Sequence, residues 1–248
     1  MPDNSFKDHF SGHAAAYASA RPNYPPSLFD FLADNCAARD CAWDCATGNG
    51  QAALELAGRY RRVIATDASA MQIAAAPPHE RLEYRVATAE NSGLETASID
   101  LVTVAQALHW FDLDRFFDEV SRVVKPGGML AVWCYGLCQV TATIDRIVFD
   151  YYESLATWWP PERRLVERGY SDITLPFALV ECPQFTMQQD WSADDMLSYL
   201  NTWSATRRCS ADTGSEPVAA IAAGLRAAWG PALRAVNWPL FLKVGRNL

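Results

Sequence analysis

The sequence is short of basic residues, of histidine and of long apolar runs, and each shortage removes a class of function. Lysine and arginine together number 21 against 29 aspartates and glutamates, a formal charge of −8. A chain that grips nucleic acid concentrates positive charge on one surface. Here two such clusters are only the pairs Arg163-Arg164 and Arg207-Arg208, so no nucleic-acid partner is expected. Nowhere do about 18 consecutive apolar residues occur, the length a membrane-crossing helix needs, and the polar start MPDNSFKDHF lacks a signal-peptide core. No membrane partner is expected, and the chain reads as cytoplasmic. The 4 histidines are scattered, without an H-E-x-x-H, and the 7 cysteines include no C-x-x-C pair. Neither a metal site nor a disulfide framework follows from such spacing; the thiols read as buried and reduced.

What the sequence does have is apolar substance, 50% of 248 residues with 12% aromatic, enough for one substantial core. It is organised around residues 41–67, CAWDCATGNGQAALELAGRYRRVIATD. A short apolar run ends near Cys45, Ala46-Thr47-Gly48-Asn49-Gly50 form a loop, residues 51–60 have helical spacing, and a second apolar run closes at Asp67. The pattern predicts strand, glycine loop, helix and strand. Glycines at 48 and 50 let a ligand lie against backbone N–H groups at the helix start. An acidic residue ending the second strand can accept from both hydroxyls of a ribose. A nucleoside-containing cofactor is the expectation. Gly48-x-Gly50-x-x-Ala53 with Asp67 also fits a dinucleotide fingerprint, which would make the chain an NAD-dependent oxidoreductase. Asp44 argues against that reading, because a carboxylate just before the loop repels a pyrophosphate and suits a ligand with a cationic end. S-adenosylmethionine has such an end and no phosphate.

Ahead of this unit, residues 28–38 have helical spacing behind Pro26 and a capping Ser27. Tyr17 and Arg21 lie four apart in an alanine-rich stretch, so a helix there would put them on one face. That arm either packs on the surface or closes over the site as a lid. After Asp67 the pattern predicts a short helix over residues 69–76, with Met71 either in the core or against a ligand. Strands follow over 82–87, 99–105 and 129–135, with a helix over 112–124 that Lys125-Pro126-Gly127-Gly128 breaks. Strands alternating with helices imply a doubly wound parallel sheet, whose carboxyl edge carries the chemistry. Gln106-Ala107-Leu108-His109-Trp110-Phe111 stands on that edge. Beyond Gly136, residues 140–158, 161–169, 192–208 and 216–229 read as helices. Residues 175–182 and 236–244 read as strands, with Pro239 marking the last as an edge or a bulge. No linker divides the chain, so residues 1–248 form one domain.

Taken together, Asp44-x-Ala46-x-Gly48-x-Gly50, Asp67, Ala89-Glu90, Gln106 to Phe111 and Lys125-Pro126-Gly127-Gly128 resemble the class I S-adenosylmethionine-dependent methyltransferases. Ala46 replaces the first glycine of the usual loop, a mild departure. Tyr17-x-x-x-Arg21-Pro22-x-Tyr24-Pro25, Trp159-Pro160-Pro161-Glu162-Arg163 and Tyr199-Leu200-x-Thr202-Trp203-Ser204 are similar to the small-molecule branch that includes trans-aconitate methyltransferases. The resemblance implies a Rossmann-like α/β fold: seven strands, mostly parallel with an antiparallel last strand, helices on both faces and a helical cap. It implies an N-terminal lid (1–27), a cofactor core (28–136) and a substrate-pocket half (137–248). By resemblance, Asp44 and Ala46, Thr47, Gly48 and Gly50 hold the methionine part of S-adenosylmethionine, and Asp67 the ribose. Ala68 and Met71 flank the adenine, Ala89 and Glu90 meet its edge, Gln106 lies under the methionine end, and Tyr17 and Arg21 cover it. Tyr24, Trp110, Arg163, Trp203 and Arg207 belong to the pocket for a small-molecule acceptor. Monomer and homodimer both stay open.

Methyl transfer is an in-line displacement in which alignment and dehydration do most of the work. Aromatic faces stabilise the cationic methyl, with Trp110 the first candidate and Tyr17 the second. A carboxylate acceptor needs no base and would be held by arginine, with Arg163, Arg164 and Arg207 available or simply solvated. A hydroxyl or acidic carbon needs a base, for which His109 has the position and pKa range, unless it is a structural histidine packed by Trp110. A cofactor-binding protein without catalysis is the remaining alternative.

Overall fold

Apolar residues at both parities of a strand require cover on both faces of a sheet. A computed structural model describes residues 21–248 and resolves that requirement into two cores. Ala42, Leu101, Met129, Ala131 and Trp133 enter one; their sequence neighbours Trp43, Val102, Leu130, Val132 and Cys134 enter the other. The lid residue Tyr17 lies outside the described residues.

The first half comprises α1 (Pro26–Asn35), β1 (Cys41–Cys45), α2 (Gln51–Ala57), β2 (Arg62–Asp67), α3 (Ala70–Ala75) and β3 (Leu82–Val86). It continues through β4 (Ile99–Ala105), a one-turn 3-10 helix (Leu108–Trp110), α4 (Leu113–Val123) and β5 (Val124–Tyr135). The second half holds α5 (Ala142–Ser154), a 3-10 turn (Ala156–Trp158), α6 (Arg163–Glu167), β6 (Ala178–Val180) and β7 (Phe185–Trp191). It ends with α7 (Ala193–Asn201), α8 (Ser204–Thr213), α9 (Pro217–Trp229) and β8 (Arg234–Arg246). Ser69 Oγ caps α3 by accepting from Gln72 N–H, and Asp112 caps α4 by accepting from Arg115 N–H, whereas the expected Ser27 cap does not form: Ser27 lies inside α1, which begins at Pro26 behind Pro25 with no side-chain cap.

The sheet runs β3-β2-β1-β4-β5-β8-β6, with β7 also on β8. Pairs among β1 to β5 are parallel, and β8 runs antiparallel to β5, β6 and β7. The sheet is seven positions wide yet holds eight strands, because β6 pairs with residues 244–246 of β8 and β7 with residues 234–240. Residues 181–184 part the two; Pro183 there has no N–H to give a ladder. Pro239 falls between the last β5 pair, Tyr135–Leu240, and the bridge Gln139–Asn237, where no β5 residue stands opposite.

Two expected elements change. Residues 192–208 form two helices, because Trp203 takes extended backbone (φ −65°, ψ 137°) and buries its ring among Tyr151, Tyr152, Trp159 and Tyr199. Thr202 Oγ1 and Thr206 Oγ1 donate to the carbonyls of Tyr199 and Leu200 at the break, 2.7 and 2.9 Å. Strand β7 is new: Phe185, Met187 and Trp191 alternate with exposed residues, but Gln189 at an inward position hides the period. Lys125-Pro126-Gly127-Gly128 ends the helix as expected and also opens β5 as a bulge. A Cβ on Gly128 would stand 2.8 Å from Val124 Cγ1 and 3.0 Å from Asp100 O.

Candidate active site

The chain leaves β1 toward β2 on one side and places β4 on the other. At such a switch point the loops part and leave a crevice beyond the strand ends. Asp44 enters it from β1, paired in register with Thr103 of β4. The carboxylate is 1% exposed and accepts from Thr47 Oγ1 at 2.6 Å and Thr103 Oγ1 at 2.7 Å. Burial, opposed by these hydroxyls and reinforced by Asp67, raises its pKa to about 6.

The loop after Asp44 is held open by backbone geometry. Ala46, Gly48 and Gly50 all have positive φ, 54°, 56° and 86°. The structure therefore sharpens the reading of Ala46, which carries a methyl at a left-handed position. At Gly50 a Cβ would lie 2.4 Å from the Tyr84 hydroxyl, so any other residue would strain the backbone and force that ring to shift. Asp67 ties the loop to β2: Gly48 N–H donates to Oδ2 and Ser69 N–H to Oδ1, each at 2.8 Å. Ala68 sits beside it, and Met71 is 56% exposed on α3, which removes the core-packing alternative. Ala89 is buried, and Glu90 accepts from Asp112 N–H at 3.1 Å.

Gln106 ends β4 with φ 56° and clasps the end of β5. Its Oε1 accepts from Tyr135 N–H at 2.8 Å and its Nε2 donates to Tyr135 O at 3.3 Å. Next to it opens a cleft lined by Arg21, Gln106, His109, Trp110, Arg163 and Trp203. Three further wall residues, Tyr135, Trp159 and Tyr199, were not singled out as site residues from the sequence; Trp159 and Tyr199 stand in the segments that carry the resemblance, whereas Tyr135 is only the end of an expected strand. Arg21 Nη1 donates to Tyr135 Oη at 2.7 Å, with the guanidinium 5.3 Å over the Tyr199 ring. Arg163 lies 5.0 Å over Trp159 and 5.6 Å over Tyr152, held by rings and by a 3.4 Å bond to Tyr152 Oη. No carboxylate reaches ion-pair distance of Arg163 among the described residues.

His109 is 8% exposed, with Nδ1 2.9 Å from Tyr170 Oη and its ring 4.6 Å from Trp110. Burial, then the Arg163 charge, pulls its pKa down to about 3. Two predicted residues stand elsewhere. Tyr24 packs edge-on against Trp133 in the core, 5.5 Å away, because its ring is needed to close α1 over the sheet. Arg207 lies on α8, one turn beyond Trp203, and does not line the cleft that the described residues form. Among the described residues no helix is long and apolar enough to cross a membrane.

Comparison with known proteins joins this geometry to a family. A methyltransferase domain profile matches residues 43–132. A candidate methyltransferase of Dictyostelium discoideum is 35% identical over 204 residues, covering 80% of this chain and 78% of that protein. The solved structure of a candidate type II methyltransferase from Anaeromyxobacter dehalogenans is 45% identical, with a TM-score of 0.86 over 92% of this chain and 98% of that one. A phosphoethanolamine N-methyltransferase 2 of Haemonchus contortus, solved with phosphomonomethylethanolamine and S-adenosylhomocysteine, shares the fold at 16% identity and a TM-score of 0.51, over 99% of this chain and 60% of that one. By the crevice between β1 and β4, the glycine loop that ends at α2 and these matches along its length, the chain belongs to the class I S-adenosylmethionine-dependent methyltransferases.

Proposed function

We propose that the enzyme methylates a small molecule through a carboxylate of that molecule, the kind of acceptor its likeness to the trans-aconitate branch suggests. The observation that carries the reading is the pairing of opposite charges across one edge of the sheet. Among the described residues, a buried carboxylate without a cation, Asp44, stands on the donor side, and an arginine without a carboxylate at ion-pair distance, Arg163, on the acceptor side.

The donor side fits S-adenosylmethionine and opposes NAD. Asp44 would attract the α-amino group through the loop, Asp67 would accept from the ribose, and Ala68, Met71, Ala89 and Glu90 would border the adenine. Gln106, with Arg21 and Tyr17 above it, would close the methionine end. Bound there, S-adenosylmethionine supplies an electrophilic methyl on a positive sulfur. The chain's own task is then to hold an acceptor oxygen in line and to exclude water, and such orientation is worth about 7–11 kcal/mol. Arg163 would hold the acceptor carboxylate, and Trp110, Trp203 and Trp159 would enclose its apolar body.

Calorimetry tests the donor half: S-adenosylmethionine should bind and NAD should not, and the reverse would overturn the assignment. A screen of small carboxylic acids with methyl-labelled donor, read by mass analysis, tests the acceptor half. Labelling confined to amines or phenols would exclude the carboxylate.

A further inference from the structure

The 3-10 helix Leu108–Trp110 leaves its first N–H groups without intrahelical partners, and the backbone dipoles of Leu108 and His109 act on the phenol of Tyr170, favouring negative charge on its oxygen. The phenol has one proton to give. Nδ1 of His109 lies 2.9 Å away. Tyr170 is fully buried in a left-handed turn, φ 57° after Gly169 at 58°. Lys243 Nζ pins that turn by donating to the carbonyls of Tyr170, Ser171 and Ile173 at 2.8, 3.1 and 2.7 Å. The phenol therefore cannot swing to another partner. His109 is also part of the cleft wall, and with Nδ1 accepting the phenol's hydrogen bond, Nε2 is the ring nitrogen left to serve a ligand there.

We propose that Tyr170 is a positioning residue that holds His109 as the neutral tautomer protonated on Nε2, so that the histidine offers the acceptor cleft a hydrogen-bond donor and not a base. The inference rests on the reading of this cleft as the acceptor site. Burial and the Arg163 charge also keep the doubly protonated ring from forming near neutrality, so the donor is uncharged. Arg163 then supplies the charge that attracts an oxyanion, and His109 the single directed bond that orients it. Among the described residues such a cleft has no group placed to remove a proton, and it selects acceptors that carry none on the attacking atom. A carboxylate oxygen meets that demand: its lone pair forms the C–O bond, the methyl–sulfur pair stays on sulfur, and no proton is released.

The tautomer is read directly from the imidazole 15N spectrum of histidine-labelled full-length protein, with and without S-adenosylhomocysteine. The 4 histidines make assignment by the His109→Gln variant practical. His109 should show a proton-bearing Nε2 and a bare Nδ1, and Tyr170→Phe should convert it to a tautomer mixture. A proton on Nδ1 in the wild type would overturn the proposal. Should Tyr170→Phe not fold, His109→Gln still decides, since a glutamine amide can donate but cannot act as a base. With cinnamate as probe acid, His109→Gln should raise KM with kcat within about 10-fold of wild type, whereas a kcat loss of about 100-fold or more is the mark of a missing base. The spectrum needs no acceptor, so its answer is separate from the calorimetric test of function.

Discussion

Two aspartates on neighbouring parallel strands are equally buried, Asp44 at 1% and Asp100 at 2% exposed, and they live by different means. Asp100 stands at the amino edge of the sheet, where Lys125 Nζ reaches Oδ1 at 2.7 Å and the N–H groups of Asp40 and Cys41 reach Oδ2 at 2.8 Å each. Its charge is answered within the chain. Asp44 stands at the carboxyl edge with two hydroxyls, no ion pair among the described residues, and a pKa raised to about 6. A buried carboxylate left without a cation destabilises the fold unless something from outside completes it. The contrast separates a residue kept for folding from one kept for a ligand.

The comparison breaks if the two respond alike to loss of charge. Asp100→Ala strands Lys125 and two backbone donors, and removing one partner of a buried pair costs about 3–5 kcal/mol. Chemical denaturation should show a loss near the lower end, because Lys125 is partly exposed, with S-adenosylmethionine affinity unchanged in the protein that remains folded. Asp44→Asn should do the opposite. Stability should hold within about 1 kcal/mol or rise, while affinity for S-adenosylmethionine falls about 100-fold, equivalent to about 2.7 kcal/mol. Equal affinity in Asp44→Asn would move the ligand's cation away from this residue.

Acidity sharpens the same contrast at a smaller scale. The folded pKa of Asp44 lies above that of an unfolded aspartate, so its charge opposes folding above about pH 6, and protonation relieves that on acidification toward pH 4. The gain is on the order of 2 kcal/mol. Melting of the ligand-free wild type and of Asp44→Asn across pH 4–8 should therefore converge at the acidic end and part above pH 6, with the wild type lower. Binding of S-adenosylmethionine should weaken as pH falls through the same range. Parallel melting curves would mean that Asp44 is not carrying an uncompensated charge.

The same two regions show why some of this was legible in sequence. Asp44, the glycine loop and Asp67 are close in the chain, and their spacing carries strand, turn and helix signals that local sterics enforce. The edge strand β7 and the break at Thr202–Trp203 were not legible, because both are decided by partners far along the chain: β8 for one, and for the other the rings of Tyr151, Tyr152 and Trp159. The cleft divides the same way. His109, Trp110 and Arg163 were visible as reactive side chains in suggestive segments. The partner that fixes His109 was not, since Tyr170 lies 61 residues away and looks like any tyrosine after a glycine.

The smallest effect concerns the loop itself. Ala46 holds φ 54°, a region that costs an alanine roughly 1–2 kcal/mol more than a glycine. Ala46→Gly would relieve that strain but loosen the unfolded chain, which returns about 0.4–1 kcal/mol. The net gain should stay below about 1 kcal/mol, a rise in Tm of roughly 2–4 °C at most for a chain this long. Affinity for S-adenosylmethionine should change little, because the loop already has the dihedrals that glycine would permit. A clear fall in Tm would show that the Ala46 methyl, packed against the second core, contributes more by contact than its backbone loses by strain.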